Sequence, residues 1–191
     1  MNSELWQQAF TYASTLHATQ TRKGKDVPYI SHLMGVAAIV LEQGGTENQA
    51  IGALLHDAVE DQDVTVEEIR ERFNDEVAEI VEGCTDAEGE PKPEWRERRE
   101  KYITHLSEAG PSVRLVAAAD KLYNARNILE DYRKEGETLW DRFTGKKDGT
   151  LWYYRTLAKT FRENYPSPLA DELGRVVSEL ERLVKEADSG K

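Results

Sequence analysis

A short segment of this chain, residues 53–61, places one imidazole and three carboxylates directly after an apolar run. His56 and Asp57 are adjacent, and Glu60 and Asp61 follow each of them by four positions, which is one helical turn. Carboxylates this close repel one another in an apolar setting unless a cation or water offsets their charge. His56 and Asp57 are therefore candidate metal ligands, and Glu60 and Asp61 would lie beside a water on that metal. A solvated acidic helix end is the alternative interpretation.

Four ordered motifs extend this pattern along the chain. HxxQxRKG begins at His17, PYxxH ends at His32, HDxxED begins at His56, and ADKLxNAR contains Asp120. The order of these histidines and aspartates resembles the H…HD…D pattern of the HD-domain phosphohydrolases. Over residues 5–165 the motifs are similar to the hydrolase domain of RelA/SpoT-type alarmone enzymes, particularly the small stand-alone hydrolases that include metazoan SpoT homologs.

The resemblance implies a metal site with four protein ligands, namely His32, His56, Asp57 and Asp120. Two imidazoles and two carboxylates suit Mn²⁺, Fe²⁺ or Zn²⁺, and the resemblance favours Mn²⁺. Asp120 follows the apolar run 116–119, where a buried carboxylate needs a partner. His32 taken alone would be interpreted as an ordinary hydrogen-bonded histidine. Four protein ligands leave room for water, which a divalent ion makes nucleophilic near neutral pH.

The resemblance also implies roles for the residues around the metal. Glu60 and Asp61 are expected to be catalytic, by orienting water or passing protons. Arg22 and Lys23 are expected to bind the nucleotide, because an arginine can stack on a purine and a lysine can attract phosphate. Solvated loop charges are the alternative for that pair. Asn124 is expected to contact substrate, four residues after Asp120 and hence on the same helical face.

Several other side chains allow two interpretations. Lys121 and Arg126 either assist phosphate binding or are surface charges, and one of Tyr153 and Tyr154 is expected to line the nucleotide pocket. A basic cluster alternates with glutamates over residues 94–101, which predicts an exposed face with ion pairs; its cations are Arg96, Arg98, Arg99 and Lys101.

The chain departs from the family pattern at a few positions. Gln62 stands where threonine is usual, and Tyr123 stands where histidine is usual. The usual Gly-Val-Thr-Lys is replaced by residues 83–86, which include Cys84 and end in Asp86. None of these changes removes a predicted ligand, but together they leave room for a shifted substrate preference.

The hydrophobic periodicity is helical throughout and predicts an all-α fold, a single HD-domain helical bundle over residues 1–191. Capping-box patterns at Thr46 and Thr65 predict two helix starts, the first helix running to about Glu60. The polar, glycine-containing stretch 135–149 predicts a flexible loop.

The composition limits the partners. The 191 residues carry a formal net charge of −11, which argues against nucleic acid or an anionic membrane as a partner, because both require a basic surface. One cysteine excludes an intramolecular disulfide, and no segment resembles a signal peptide or a membrane span, so we expect a cytoplasmic protein. The sequence leaves the oligomeric state open, including a homo-oligomer.

The expected activity is hydrolysis of the alarmones ppGpp and pppGpp at the ribose 3′ position, giving GDP or GTP and pyrophosphate. One alternative is another HD nucleotide phosphatase, acting on NADPH or a nucleoside monophosphate. A second alternative is a sensor that binds alarmone without turnover. Glu60 and Asp61 argue against the sensor, because a non-catalytic binder has little use for that pair beside a metal.

Overall fold

A computed structural model of the chain describes residues 4–86 and 94–190. Its helices are α1 (Glu4–Leu16), α2 (Ile30–Glu42), α3 (Glu47–Leu55), α4 (Ala58–Asp61), α5 (Val66–Arg72), α6 (Asp75–Cys84), α7 (Trp95–Glu108), α8 (Pro111–Glu135), α9 (Lys146–Asn164) and α10 (Pro168–Ser189), with a 3₁₀ helix at Gly136–Arg142. Within those two ranges the only β-type pairing is an isolated bridge between Thr21 and Pro28, so the all-α prediction is confirmed. None of the helices described is long and apolar enough to cross a membrane.

Helix α8 is the central element of the fold. It packs against α2, α3, α6, α9 and α10. Its residues Leu115–Ala119 are buried, as are Leu33 of α2 and Leu55 of α3. Burying one such leucine stabilises the fold by about 1.5–3 kcal/mol relative to exposing it. The buried packing of α2, α3 and α8 therefore fixes the three segments that carry the HD-type residues.

Both predicted capping boxes are confirmed. The Thr46 side chain accepts from the backbone N–H of Gln49, whose side chain accepts from the Thr46 backbone, and Thr65 and Glu68 repeat the arrangement. An N-cap of this kind contributes about 1 kcal/mol. These caps fix where α3 and α5 begin.

The prediction that the helix after Thr46 runs to about Glu60 is wrong. Helix α3 ends at Leu55, and α4 begins at Ala58 after a break at His56 and Asp57. Asp57 has φ −100° and ψ 1°, outside the helical range. The side chains of both break residues contact partners on other helices, Asp57 on α2 and His56 on α8.

The predicted flexible loop at 135–149 is also wrong. Helix α8 continues to Glu135, the 3₁₀ helix follows, and α9 begins at Lys146. Gly136 allows the sharp turn because its φ is +61°, a left-handed conformation that side chains disfavour. Leu139 and Trp140 are buried, so this segment is anchored in the core despite its polar composition.

Candidate metal centre and adjoining pocket

Three separate elements bring the predicted ligands together. His32 lies in the first turn of α2, His56 and Asp57 form the break after α3, and Asp120 lies within α8. Both imidazole Nε2 atoms approach Asp57 Oδ2, at 3.5 Å from His32 and 3.1 Å from His56. They also approach Asp120 Oδ1, at 3.3 and 3.7 Å respectively. Ligand atoms of His32, His56 and Asp57 all lie within 4.8 Å of one another, a grouping that could hold a metal ion.

The hydrogen bonds of His56 favour a metal. Its Nδ1 lies 2.8 Å from the carbonyl oxygen of Ala53, which can only accept, so Nδ1 carries the hydrogen. Its Nε2 is buried and has no hydrogen-bond partner within the described ranges, although it faces two carboxylates. A ring fixed through one nitrogen, with the other directed at acidic groups, is the usual arrangement of a metal-binding histidine.

Burial and charge oppose each other in this cluster. Burial acts to lower the pKa of His56, but the Asp57 and Asp120 carboxylates outweigh it and hold the pKa well above 6.5. Burial acts to raise the pKa of Asp57, and the two imidazoles outweigh it and hold the pKa well below 3.8. Without a cation, a proton on His56 therefore compensates the acidic charge, and a metal ion would take over that role.

A second layer of residues fixes the two carboxylates. The Tyr29 hydroxyl donates to Asp57 Oδ2 at 2.6 Å. Lys121 Nζ donates to Asp120 Oδ2 at 2.7 Å, and Asn124 Nδ2 donates to Asp120 Oδ1 at 2.5 Å. The Lys121 side chain is 13% exposed and pairs with Asp120, so the surface-charge interpretation is wrong, whereas a role in phosphate binding stays a prediction. Burial acts to raise the pKa of Asp120, but Lys121 and the two imidazoles hold it well below 3.8.

Glu60 and Asp61 lie on the short helix α4, beside a cavity of about 610 Å³. Glu60 Oε1 lies 3.4 Å from Arg98 Nη1, and Asp61 Oδ2 accepts from Gln20 Nε2 at 2.8 Å. Tyr29 and Asn124 also line this cavity, so the candidate ligands Asp57 and Asp120 are one contact away from it. The two carboxylates of α4 are therefore open to the same space as a molecule approaching the metal group.

The cavity wall is basic although the protein is acidic overall. Its charged lining residues are the cations Arg22, Lys23, Lys25, Arg98, Arg99 and Arg142 and the acids Glu60, Asp61 and Asp131. The whole chain carries a net charge of −11. A local excess of cations in an acidic protein provides an attractive site for a phosphorylated molecule.

The predicted substrate-binding residues are brought together. Arg22 Nη2 donates to Asn124 Oδ1 at 2.7 Å, and Lys23 lines the same cavity. The Arg22 guanidinium lies 5.7 Å from the Tyr29 ring centroid and 5.9 Å from that of Tyr123. The sequence predicted that one of Tyr153 and Tyr154 lines the pocket, and both of them line the cavity. Arg126 is half exposed and pairs with Glu172, so it is a surface charge.

The predicted exposed basic face of α7 is only half right. Arg96 and Lys101 are exposed and pair with Glu100 and Glu97. The side chains of Arg98 and Arg99, in contrast, are 14% and 23% exposed and line the cavity. A signal was present in the sequence, since the residues at 95, 98, 99, 102 and 106 share one helical face that includes Trp95 and Tyr102.

Sequence reasoning missed Gln20 as a site residue. Its side-chain nitrogen donates to Asp61, and its side-chain oxygen accepts from Gln62 at 2.7 Å and lies 2.5 Å from His17 Nδ1. Gln62, which replaces the usual threonine, therefore takes part in holding Asp61. Tyr123, which replaces the usual histidine, places its ring 5.1 Å from that of His32.

A family model described as HD domain matches residues 9–151, and the chain belongs to this family. The Xenopus tropicalis protein named guanosine-3′,5′-bis(diphosphate) 3′-pyrophosphohydrolase MESH1 is 40% identical over 124 residues, which cover 63% of this chain and 68% of that protein. An Aquifex aeolicus protein named guanosine-3′,5′-bis(diphosphate) 3′-pyrophosphohydrolase is 35% identical over 179 residues, which cover 91% of this chain and 22% of that protein.

One solved structure, of a metazoan ortholog of SpoT that hydrolyses ppGpp, matches with a TM-score of 0.80 and 24% identity over 96% of this chain and 98% of that one. At this identity the match establishes the fold. The predicted similarity to RelA/SpoT-type hydrolases is confirmed by these relatives together.

Proposed function

We propose that this chain is a metal-dependent guanosine-3′,5′-bis(diphosphate) 3′-pyrophosphohydrolase, converting ppGpp and pppGpp to GDP and GTP with release of pyrophosphate. The observation that carries the proposal is that Glu60 and Asp61, which follow the imidazole–carboxylate cluster directly in sequence on α4, line a basic cavity. The names of relatives that share the HD family support the choice of reaction.

We assign the metal to His32, His56, Asp57 and Asp120, with Mn²⁺ as the expected ion. The mixed donor set suits it, and the unpartnered buried Nε2 of His56 fits a ligand atom. A bound divalent ion supplies Lewis acidity, which activates water near neutral pH and stabilises negative charge on a phosphoryl group. Tyr29, Lys121 and Asn124 keep both carboxylates oriented towards the imidazoles.

The reaction requires two proton movements, which we assign to Glu60 and Asp61. Water bonds to the α-phosphorus of the 3′-diphosphate and loses a proton, while the bond from that phosphorus to the ribose 3′ oxygen breaks and the oxygen gains a proton. Carboxylates held by Arg98 and Gln20 can accept and return these protons without reorientation. Both carboxylates line the cavity, which supports this assignment.

We assign nucleotide binding to Arg22, Lys23 and Asn124. Asn124 fixes the Arg22 guanidinium beside two tyrosine rings, which prepares its flat face for a purine. Lys23 contributes a point charge for phosphate. We place the enzyme in the cytoplasm, in agreement with a chain that has one cysteine and so cannot form an internal disulfide.

Release of phosphate and of pyrophosphate, measured with Mn²⁺ against ppGpp, NADPH and nucleoside monophosphates at equal concentration, tests the proposal. We expect ppGpp to be cleaved with pyrophosphate as the product. Cleavage of another nucleotide with ppGpp left intact would replace this function with a general nucleotide phosphatase, and binding of ppGpp without cleavage of any nucleotide would indicate a sensor. A His56→Ala variant prepared in parallel must lose the activity, which excludes a contaminating phosphatase.

A further inference from the structure

Two neighbouring arginines of α7 are held at the cavity wall by one buried acid. Asp86, whose side chain is 4% exposed, forms a close ion pair with Arg99 Nη1 and lies 3.5 Å from Arg98 Nη1. Asp86 follows the last turn of α6, so the contact joins two helices. Long arginine side chains lose little further entropy on binding an anion when their position is already fixed in this way.

The surroundings place this pair beside the reacting centre. Arg98 Nη1 lies 3.4 Å from Glu60 Oε1. The Arg99 guanidinium lies 4.8 Å from the ring centroid of Tyr153, in cation–π range. A group bound between the two arginines would therefore be next to a proposed catalytic carboxylate and against an aromatic wall.

Both arginines have hydrogen-bond capacity beyond these contacts. Their polar contacts with residues in 4–86 and 94–190 all involve Nη1. A guanidinium has five N–H donors in a planar fork, and the Nη2 groups complete the fork that matches a phosphate. The pair can thus accept an anion without losing its anchor on Asp86.

The cavity has a second, separate set of cations, Arg22, Lys23, Lys25 and Arg142, on the loop before α2 and on the 3₁₀ helix. Among these, Arg22 is tied to Asn124 and Arg142 to Asp131. Neither of these arginines shares a contact with Asp86 in the described structure. Two independent cationic sets fit a molecule with two separated phosphate groups better than a molecule with one.

We propose that Arg98 and Arg99 form a subsite for the terminal phosphate of the 3′-diphosphate, and that this subsite selects a diphosphate over a single phosphate at the reacting position. The inference rests on the proposed function and adds the feature that makes pyrophosphate, and not orthophosphate, the product. Water attacks the inner phosphorus and the ribose oxygen departs, so both phosphates leave together. The arginines hold the outer phosphate, which changes no bond.

Arg99→Gln is the test, because Arg99 contacts Asp86 and Tyr153 and no proposed catalytic group. Inorganic pyrophosphate and orthophosphate are titrated calorimetrically into the full chain carrying one equivalent of Mn²⁺. The wild type, Arg99→Gln, Arg99→Lys and a control variant are compared. We expect the affinity for pyrophosphate to fall by roughly 10- to 100-fold, as for a lost charge-assisted hydrogen bond, with orthophosphate changed less than about twofold. Arg99→Lys retains the charge without the fork and should give an intermediate loss.

Lys101→Gln is the matched control, since it removes a cation from the exposed side of the same helix. It should leave both affinities unchanged. Equal losses for the two anions in Arg99→Gln, or no loss for either, would overturn the subsite. These titrations are independent of turnover. A selective loss of pyrophosphate affinity, in a chain that does not cleave ppGpp, would support the subsite and reject the proposed function. Cleavage of ppGpp without a selective loss would support the proposed function and reject the subsite.

Discussion

Arg22 Nη2 donates a hydrogen bond of 2.7 Å to Asn124 Oδ1 across 102 positions of sequence. The same amide donates from Nδ2 to Asp120 Oδ1 at 2.5 Å. The direction of both bonds is fixed, because a guanidinium can only donate and a carboxylate can only accept. One side chain therefore connects a proposed nucleotide-binding residue with a proposed metal ligand.

Replacing Asn124 with Leu should weaken both functions at once. The change keeps the number of side-chain heavy atoms and the branched shape but removes the donor to Asp120 and the acceptor for Arg22. We expect metal affinity to fall by roughly 10- to 100-fold, as for other residues that orient a ligand, and KM to rise. Chelator competition and steady-state kinetics measure the two effects. Asn127→Leu, one turn further along α8 and bonded to the Tyr123 carbonyl, is the control for metal affinity alone, since Asn127 also lines the cavity. Equal losses of metal affinity in the two variants would contradict this role.

Helix periodicity, which is a local property, predicted the all-α fold, whereas the resemblance to the HD-domain pattern named the residues that converge. Neither could predict the break between α3 and α4, since His56 and Asp57 are held by partners on other helices. The assignment of ligand and catalytic roles remains a prediction until the variants are measured.

The basic residues show the same limit. Alternating charges on α7 indicated an exposed helix, yet the buried Tyr102 and the partly buried Trp95 lie on the face that turns Arg98 and Arg99 inwards. Likewise, the polar stretch 135–149 was expected to be a loop, although Leu139 and Trp140 anchor it. In each case a few apolar side chains outweigh the average polarity of the segment, because their burial contributes more than exposed ion pairs do.

Metal content should fall when His56 is removed but not when another histidine of the chain is removed. His56→Ala removes a nitrogen from the cluster, whereas His105→Ala removes a partly buried imidazole of α7 that contacts the Gly83 carbonyl. Elemental analysis of the purified proteins should show about one divalent ion per chain in the wild type and His105→Ala and strongly reduced content in His56→Ala. Equal content in all three would place the metal elsewhere.

Metal affinity should rise with pH. The Asp57 and Asp120 carboxylates outweigh burial and raise the pKa of His56 well above 6.5, so a metal must displace a proton from it. Below that raised pKa we expect affinity to fall by about tenfold per pH unit, for one proton released per ion. Titrations between pH 6 and pH 8 with a metal indicator measure the slope, and a flat profile would contradict the proton exchange.

The folding stability of the metal-free chain should decrease both at high pH, through His56, and at low pH, through Asp57. Stability from His56, whose pKa is raised on folding, is fully present below 6.5 and is lost as pH rises through the raised value. Stability from Asp57, whose pKa is lowered on folding, is present above 3.8 and is lost as pH falls towards the lowered value. Urea unfolding of the chelated protein across pH checks both directions, and loss of stability from acidification already near neutral pH would contradict them.

Glu60→Gln and Asp61→Asn should retain metal but lose turnover by roughly 10²- to 10⁴-fold, the contribution of a general acid or base. Neither carboxylate belongs to the imidazole–carboxylate cluster, and each is held by a neighbour that an amide can still contact. Asp63→Asn is the control, because this exposed residue has φ +47°, a conformation that asparagine tolerates well. Near-normal turnover in both α4 variants would remove the proposed proton-transfer pair.

The last prediction concerns packing behind His32. Gly35 lies within α2, and a Cβ added there would be 2.1 Å from Cε2 of Tyr123, whose ring packs 5.1 Å from that of His32. Alanine is normally better than glycine in a helix by about 0.5–1 kcal/mol, so a loss of stability would report the clash alone. We expect Gly35→Ala to destabilise by about 1–3 kcal/mol and to weaken metal binding, because the displaced ring moves against His32.

A double-mutant cycle with Tyr123→Leu separates this contact from a general effect on α2. Removing the ring vacates the space that the new methyl group needs. Gly35→Ala should therefore cost at least about 0.5 kcal/mol less in the Tyr123→Leu background, the size of coupling expected for residues in contact. Urea unfolding gives the free energies and chelator competition gives the metal affinities. Strictly additive effects would show that Gly35 and Tyr123 act independently. That result would contradict the idea that a glycine is needed at position 35 to make space for the Tyr123 ring beside His32.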